Sequence, residues 1–224
     1  MKSMFYQCNE LEILDLSNFD TSQVHDMGFM FSGCFKLKEI KGINDFNTSQ
    51  VLNMESMFIE CIEVEYLDLS NFDTLKINIM EYMFNRCYKL KEIKGINNFN
   101  TSQVTNMKSM FKQCNELEIL DLSNFDTSNV NDMGFMYNEC YKLKEIKGIN
   151  HFNTNQVINM SGMFNQCNEL EILDLSNFDT SNINNMAYIF CECYNLKEIK
   201  GLNRFNTSRV TNMKAMFQAC YELE

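Results

Sequence analysis

Residues 87–113 read CYKLKEIKGINNFNTSQVTNMKSMFKQ, and residues 114–139 read CNELEILDLSNFDTSNVNDMGFMYNE. The two stretches share one skeleton: a Cys, a Leu three residues later, an aliphatic residue three further on, and then Phe, Thr, Val, Met, Met and an aromatic residue. The first unit has 27 residues and the second has 26. A tandem pattern of this length is typical of a solenoid, in which each repeat packs only on its neighbours.

The same skeleton covers the whole chain of 224 residues. Nine of the ten cysteines are in phase, at intervals that alternate between 26 and 27 residues, so the full repeat is a double unit of 53 residues. The in-phase residues are Cys8, Cys34, Cys61, Cys87, Cys114, Cys140, Cys167, Cys193 and Cys220. All 17 Met fall in two columns of the repeat. We therefore expect one solenoid domain, residues 1–224, with about eight and a half turns.

The segment that follows each cysteine predicts a strand. Leu117, Leu120 and Leu122 alternate with Glu118 and Asp121, as a short half-buried strand requires. Four and seven residues after the cysteine, acidic and basic residues alternate from turn to turn, as do most of those two residues after it. If neighbouring turns are about 4.8 Å apart, each charge lies between two of opposite sign. This pattern predicts parallel strands in register.

The methionine-rich segment predicts a helix. Met107, Met110, Phe111 and Cys114 are spaced i, i+3, i+4 and i+7, which places them on one face of a two-turn helix, and Asn106 could cap its first turn. We expect these side chains, with Phe125, to form the core. The predicted fold class is thus an α/β repeat solenoid: a right-handed, leucine-rich-repeat-like coil with one short parallel strand and one short helix per turn.

The 27-residue unit carries one extra residue beside a glycine that the 26-residue unit lacks. We expect the backbone to bulge there and so absorb the extra residue. These glycines are Gly42, Gly95, Gly148 and Gly201.

Composition disfavours several classes of function. The formal net charge is −11, which argues against a nucleic-acid partner, and no stretch is long and apolar enough to insert in a membrane. Catalysis needs a local exception to the repeat, and none is visible; His25 and His151 are about five turns apart. We therefore predict no enzyme, no metal and no cofactor. Buried cysteines act as small hydrophobes, and Cys191, outside the in-phase column, is the predicted reactive thiol.

The pattern LDLSNFDTSNVxxMxxMFxxC resembles the BspA-like family of leucine-rich-repeat surface proteins, and the match runs through every turn. The alternate units depart from it, with Lys-Gly-Ile in place of Asp-Leu-Ser. The resemblance implies a cell-surface or secreted protein of bacteria or protists that binds host or extracellular proteins and mediates adhesion. The residues themselves imply only a repeated surface that can bind a protein, so an intracellular (cytoplasmic) interaction scaffold is the alternative.

Two surfaces are candidates for that binding. The first is the charged stripe along the strands, formed by Glu12, Asp15, Lys38, Lys41, Glu65, Asp68, Lys91, Lys94, Glu118, Asp121, Lys144, Lys147, Glu171, Asp174, Lys197 and Lys200. The second is an apolar patch in the irregular third turn, formed by Ile62, Val64, Leu75 and Ile79. Neither end of the sequence carries a distinct cap, so we expect a fragment of a longer array or a protein that associates end to end.

Overall fold

The computed structural model describes all 224 residues, which wind as a solenoid with one three-residue strand in each of eight consecutive turns. The strands are β1 (Ile13–Asp15), β2 (Glu39–Lys41), β3 (Tyr66–Asp68), β4 (Glu92–Lys94), β5 (Ile119–Asp121), β6 (Glu145–Lys147), β7 (Ile172–Asp174) and β8 (Glu198–Lys200). Paired strands are parallel and in register, with Ile13 opposite Glu39 and Asp15 opposite Lys41 in the first pair. The prediction of parallel strands in register is confirmed.

The strands form four separate pairs rather than one continuous sheet: β1 with β2, β3 with β4, β5 with β6, and β7 with β8. Each break follows the strand of a 27-residue unit, where a 3₁₀ helix takes up the extra residue. These helices are Ile43–Asp45, Ile96–Asn98, Ile149–His151 and Leu202–Arg204. The glycine before each helix has a left-handed backbone, with φ between 74° and 85°. The predicted bulge is therefore a 3₁₀ helix that begins at a left-handed glycine.

The predicted helix in the methionine-rich segment is wrong, because the only helices are those four 3₁₀ helices. In every turn, the residue before the second Met column and the residue before the cysteine have a positive φ of 52° to 72°. Ser109 and Gln113 are the pair in the turn that contains Met107. Left-handed residues interrupt a right-handed helix. The i, i+3, i+4 and i+7 spacing here comes from two successive tight turns that return the apolar side chains to the same side.

This backbone joins neighbouring turns, which a helix could not do. Alternate N–H groups of the segment donate across to the next turn: Phe29 N donates to the Glu55 carbonyl at 2.8 Å. The N–H groups between them close local turns, as Met30 N does on the Met27 carbonyl at 3.2 Å. A left-handed residue other than glycine costs on the order of 1 kcal/mol or more. The cross-turn hydrogen bonds offset that cost in every turn.

A ladder of single-residue bridges runs beside this segment, and seven full turns separate its first member from its last. It joins Asp26, Asn53, Ile79, Asn106, Asp132, Asn159, Asn185 and Asn212. The carboxylate or amide side chains accept from the N–H two residues on, as Asn106 Oδ1 does from Lys108 N at 2.9 Å. The predicted caps therefore stabilise tight turns instead of helix ends.

The core is a single cluster of 61 buried apolar residues that runs through the turns. A column of aromatic rings runs along it, one per turn, with nearly parallel planes and centroids 5.5 Å to 6.0 Å apart, and only its end members, Phe5 and Phe217, are not fully buried. The column comprises Phe5, Phe31, Phe58, Phe84, Phe111, Tyr137, Phe164, Phe190 and Phe217. Met107, Met110, Phe111, Cys114 and Phe125 are all buried in this core. Each turn therefore buries its apolar side chains against the turns on either side.

Buried polar groups of the core are satisfied across turns. Thr101 Oγ1 donates to the Asp126 carbonyl at 2.8 Å, and the Cys114 thiol donates to the Phe84 carbonyl at 3.1 Å. Equivalent bonds recur along the threonine and cysteine columns. Each small polar side chain thus links two turns at a depth where an unbonded group would be costly.

Tyr137 is an exception, and it gives a stability prediction. It replaces Phe in the aromatic column, is fully buried, and its hydroxyl has no hydrogen-bond partner. We expect Tyr137→Phe to raise the free energy of unfolding by about 1 to 2 kcal/mol, because an unpaired buried hydroxyl is removed. Denaturant titration measures the change. The reciprocal change Phe84→Tyr should lower stability. If Tyr137→Phe is no more stable than the parent, the Tyr137 hydroxyl is not buried without a hydrogen-bond partner.

Candidate binding face

The strand face comprises the outward side chains of β1–β8 and the charged residues two and four positions after each in-phase cysteine. The middle residue of each strand points inward; Leu120 and Ile146, for example, are buried. The residues on either side of it point outward, as alternation in a strand requires. All the residues of the predicted charged stripe therefore lie on this one face.

Lysines that lie just before one strand form ion pairs with glutamates that lie just before the preceding strand. In the row four residues after the cysteine, the ion pairs are Lys38–Glu12 at 2.8 Å, Lys91–Glu65 at 2.6 Å, Lys144–Glu118 at 2.7 Å and Lys197–Glu171 at 2.8 Å. Each lysine has one carboxylate partner, within its own strand pair, instead of the two that we expected. The break after each second strand separates it from the next turn. These pairs are exposed to solvent, so each contributes little to stability and serves mainly to fix the register of the two turns.

The row seven residues after the cysteine is held differently. Its aspartates accept from the serine two residues on, as Asp121 does from the Ser123 hydroxyl at 2.6 Å. Lys94 forms the one ion pair of the row, 2.7 Å from Asp68. Lys41, Lys147 and Lys200 make no ion pair, so these cations remain available on the face.

Asp68 gives a testable pH dependence. The Lys94 ammonium and the hydroxyl and N–H of Ser70 lower the pKa of its carboxyl from 3.8 to about 2. A folded-state pKa below the unfolded value means that this contribution to stability is present above about pH 4 and is lost as the pH falls toward 2. We expect Lys94→Gln to raise the Asp68 pKa, measured by NMR titration, and to leave Asp121 unchanged. If the pKa of Asp68 is the same in Lys94→Gln as in the parent protein, the ion pair between Asp68 and Lys94 is refuted.

The structure reveals a row of residues that the sequence interpretation missed. Five residues after the cysteine, exposed apolar side chains alternate with glutamates from turn to turn. The row is Ile13, Glu39, Tyr66, Glu92, Ile119, Glu145, Ile172 and Glu198. The apolar members are 52% to 61% exposed, and the glutamates make no ion pair or side-chain hydrogen bond. The signal was present in the sequence as a fixed repeat position that alternates between apolar and acidic.

Grooves open where the strand pairs separate. One of 380 Å³ lies between β4 and β5 and is lined by Lys91, Glu92, Glu116, Glu118 and Ile119. An equivalent groove of 430 Å³ lies between β6 and β7, with Glu145 and Ile172 in its lining. A third, of 480 Å³, lies between β2 and β3 and includes Glu39 and Tyr66. Each groove therefore joins an unpaired glutamate of one turn to the apolar residue of the next turn. The groove between β6 and β7 also has the unpaired Glu169, and the groove between β2 and β3 also has the unpaired Lys41.

The predicted apolar patch of the third turn is dispersed over the solenoid. Val64 is 1% exposed and belongs to the core, so it presents no surface. Leu75 is 54% exposed, Ile62 is half-buried, and Ile79 is a half-buried member of the bridge ladder.

The structure places the groups considered for chemistry apart from one another. His25 and His151 lie on different turns, and no three His, Cys, Asp or Glu side chains come together as metal ligands. All ten cysteines are free thiols. Burial raises the pKa of Cys87 and Cys140 to about 12 and also raises that of Cys191. Cys191 is only 3% exposed, so its predicted role as the reactive thiol is wrong.

The comparisons with known proteins agree with the repeat. The family described as "Mycoplasma protein of unknown function, DUF285" matches residues 1–119, 64–147 and 143–224. The chain belongs to the DUF285 family. DUF285 is a family of BspA-like repeats, which confirms the resemblance seen in the sequence. A search of curated proteins found no match to this DUF285 chain.

Solved structures similar to this DUF285 chain include leucine-rich-repeat proteins of bacteria. A leucine rich cell surface protein from Faecalibacterium prausnitzii is 15% identical over 88% of this chain and 62% of its own, with a TM-score of 0.44. A leucine-rich repeat protein from Bacteroides ovatus is 16% identical over 100% of this chain and 68% of its own, with a TM-score of 0.36. The leucine-rich repeat protein of T. pallidum is 19% identical over 100% of this chain and 70% of its own, with a TM-score of 0.32. The chain thus spans less than two thirds of the first of these. None of the helices of the DUF285 chain is long and apolar enough to cross a bilayer.

Proposed function

We propose that this chain is a non-catalytic protein-binding module of a cell-surface or secreted protein, and that it contacts host or extracellular proteins through the strand face in adhesion. The observation that carries the proposal is the row of exposed apolar residues on an otherwise charged face. Ile13, Tyr66, Ile119 and Ile172 are each more than half exposed at the same repeat position. Apolar side chains within a polar surround are the usual anatomy of a protein interface.

The ion pairs of the face favour recognition of a folded or extended partner over a small ligand. Its grooves are shallow, open and charged, whereas small-molecule sites are concave and mostly apolar. The paired lysines and glutamates leave little net charge in their own rows. Binding energy would come from the apolar row, and the charges around it would set which partners fit.

A non-catalytic role is supported by the regularity of the molecule. A catalytic group needs an environment that differs from its surroundings. Here most carboxylates of the strand face, and the in-phase thiols, recur in equivalent settings from turn to turn. The surface location rests on membership of a BspA-like family.

One observation favours the alternative, an intracellular interaction scaffold. All ten cysteines are free thiols, and eight of them are buried. Proteins of oxidising compartments commonly carry disulfides, whereas cytosolic proteins keep their thiols reduced. The two proposals share the binding face and differ in where the partner is met.

Capture with matched variants tests the proposal. The immobilised chain is exposed to serum and extracellular matrix proteins and, separately, to cytosolic lysate. We expect a captured extracellular protein to be lost from the variant Tyr66→Ser/Ile119→Ser/Ile172→Ser. It should be retained by Leu52→Ser/Leu75→Ser/Ile158→Ser, which removes three apolar residues of similar exposure elsewhere on the solenoid. Capture that the second variant loses and the first retains would overturn the assignment of the face.

Antibody labelling of intact and permeabilised cells tests the location. Labelling of intact cells would support the surface proposal. Labelling only after permeabilisation, with specific capture from the cytosolic lysate, would favour the scaffold.

A further inference from the structure

We propose that the three grooves of the strand face each bind one lysine or arginine side chain, and that together they bind a basic amphipathic helix lying along the solenoid. This inference rests on the proposed binding function and names the partner's chemistry. The observation behind it is that the lining of each groove contains both a glutamate and an apolar side chain: Glu39 and Tyr66, Glu92 and Ile119, and Glu145 and Ile172.

The chemistry of one groove matches one long basic side chain. Glu92 has no cationic partner, and its neighbour across the groove, Ile119, is 54% exposed. Lysine and arginine combine an apolar stem with a charged head, so the stem can pack on Ile119 while the head reaches the Glu92 carboxylate. The face already contains one arrangement of this kind, since Lys91 Nζ pairs with Glu65 and lies 6.0 Å from the centroid of the Tyr66 ring.

In the grooves between β4 and β5 and between β6 and β7, the surrounding charges strengthen the selection for a cation, because the lining lysines, Lys91 and Lys144, are already bound to glutamates. In the groove between β4 and β5, Lys91 is bound to Glu65, and Glu116 and Glu118 are bound to Lys142 and Lys144. Glu92 is the one lining charge left without a partner. An incoming cation neutralises it without breaking an existing pair, whereas an anion would meet unfavourable charge.

The spacing of the grooves indicates a helix. They recur every two turns. One of the two steps lies within a strand pair and rises about 4.8 Å, and the other crosses a break, where the stacked rings are up to 6.0 Å apart. The two steps together advance about 10 to 11 Å. Seven residues of an α-helix rise about 10.5 Å. Side chains in an extended strand return to one face about every 6.8 Å, which does not match. A helix with a basic residue at every seventh position, and apolar residues beside it, therefore fits all three grooves at once.

A direct binding measurement with designed probes tests this. The first probe is a labelled helical peptide of about three heptads with lysine at every seventh position, and the second has the same composition with the lysines spread around the helix. Fluorescence anisotropy against the full chain gives Kd for each. We expect the first probe to bind at least about tenfold more tightly, the equivalent of three exposed ion pairs, and its binding to weaken as salt rises.

Protein variants separate the grooves from the overall negative charge. Glu39→Gln/Glu92→Gln/Glu145→Gln should weaken the first probe at least about tenfold. Asp45→Asn/Glu55→Gln/Glu81→Gln removes as many carboxylates outside the grooves and should weaken it much less. Circular dichroism establishes that both variants remain folded. Equal binding of the two probes, equal weakening by the two variants, or no binding of either probe would overturn the inference. The proposed function would survive that result if capture of a protein partner still depended on Tyr66, Ile119 and Ile172.

Discussion

Replacement of Met110 by Asp is expected to unfold the centre of the solenoid. Met110 is 0% exposed and lies in the single core cluster, beside the stacked rings. A carboxylate there has no cation within the core and would either stay charged or take up a proton, at a cost of several kcal/mol in either case. Turns of a solenoid stabilise only their neighbours, so the loss spreads from this turn to those on both sides.

Hydrogen exchange and thermal unfolding measure the effect of Met110→Asp. Exchange should accelerate first at the cross-turn amides, among them Phe84 N, which donates to the Met110 carbonyl at 2.9 Å. The control is Gln103→Asp, an exposed position of the same turn, which should change stability by less than about 0.5 kcal/mol. Unfolding of Met110→Asp that coincides with that of the control would show that the methionine column does not form the core.

The solenoid and its register could be predicted from sequence because they depend on long repetition. Cysteine spacing alone gave the period, and the alternating signs at Glu12 and Lys38 required parallel strands one turn apart. Such patterns average over many copies, so irregularities such as Ile79 do not obscure them. The core followed for the same reason, because a buried column must remain apolar in every turn.

The helix was mispredicted because side-chain spacing does not specify the backbone path. Met107, Met110 and Phe111 return to one side both in a helix and in two tight turns with left-handed residues. A subtler signal was available: Gly33 and Gly162 occupy the two positions that have positive φ in every turn. Most other turns place Ser, Gln, Glu or an aromatic residue there, so the preference of glycine for that backbone is hidden.

The row of exposed apolar residues five positions after the cysteine was missed because the sequence interpretation looked for apolar surface residues only in the irregular third turn. Ile119 and Ile172 were available as the outward residues of their strands, but aliphatic residues in a strand are usually assigned to the core. The breaks between strand pairs could not be predicted from charge signs, since the signs alternate equally across both kinds of junction. Only the extra residue of the 27-residue unit and its glycine distinguish a junction with a break from a junction within a strand pair.

That glycine carries the second large prediction: Gly148→Ala should destabilise the solenoid by about 2 to 4 kcal/mol. Gly148 has φ 83°, and a Cβ there would lie 2.5 Å from the Ser123 Cα, a backbone atom of the preceding turn that cannot move aside. Gly28→Ala is the matched control, because its added Cβ meets the movable side chains of Asn53 and Asp26 at 3.0 Å and 3.1 Å. Denaturant titration should show the loss for Gly148→Ala and a smaller one for the control. Exchange should accelerate between β5 and β6, where the Leu122 N–H donates to the Lys147 carbonyl. Equal, small losses in both variants would mean that the extra residue of the 27-residue unit is accommodated without a left-handed glycine.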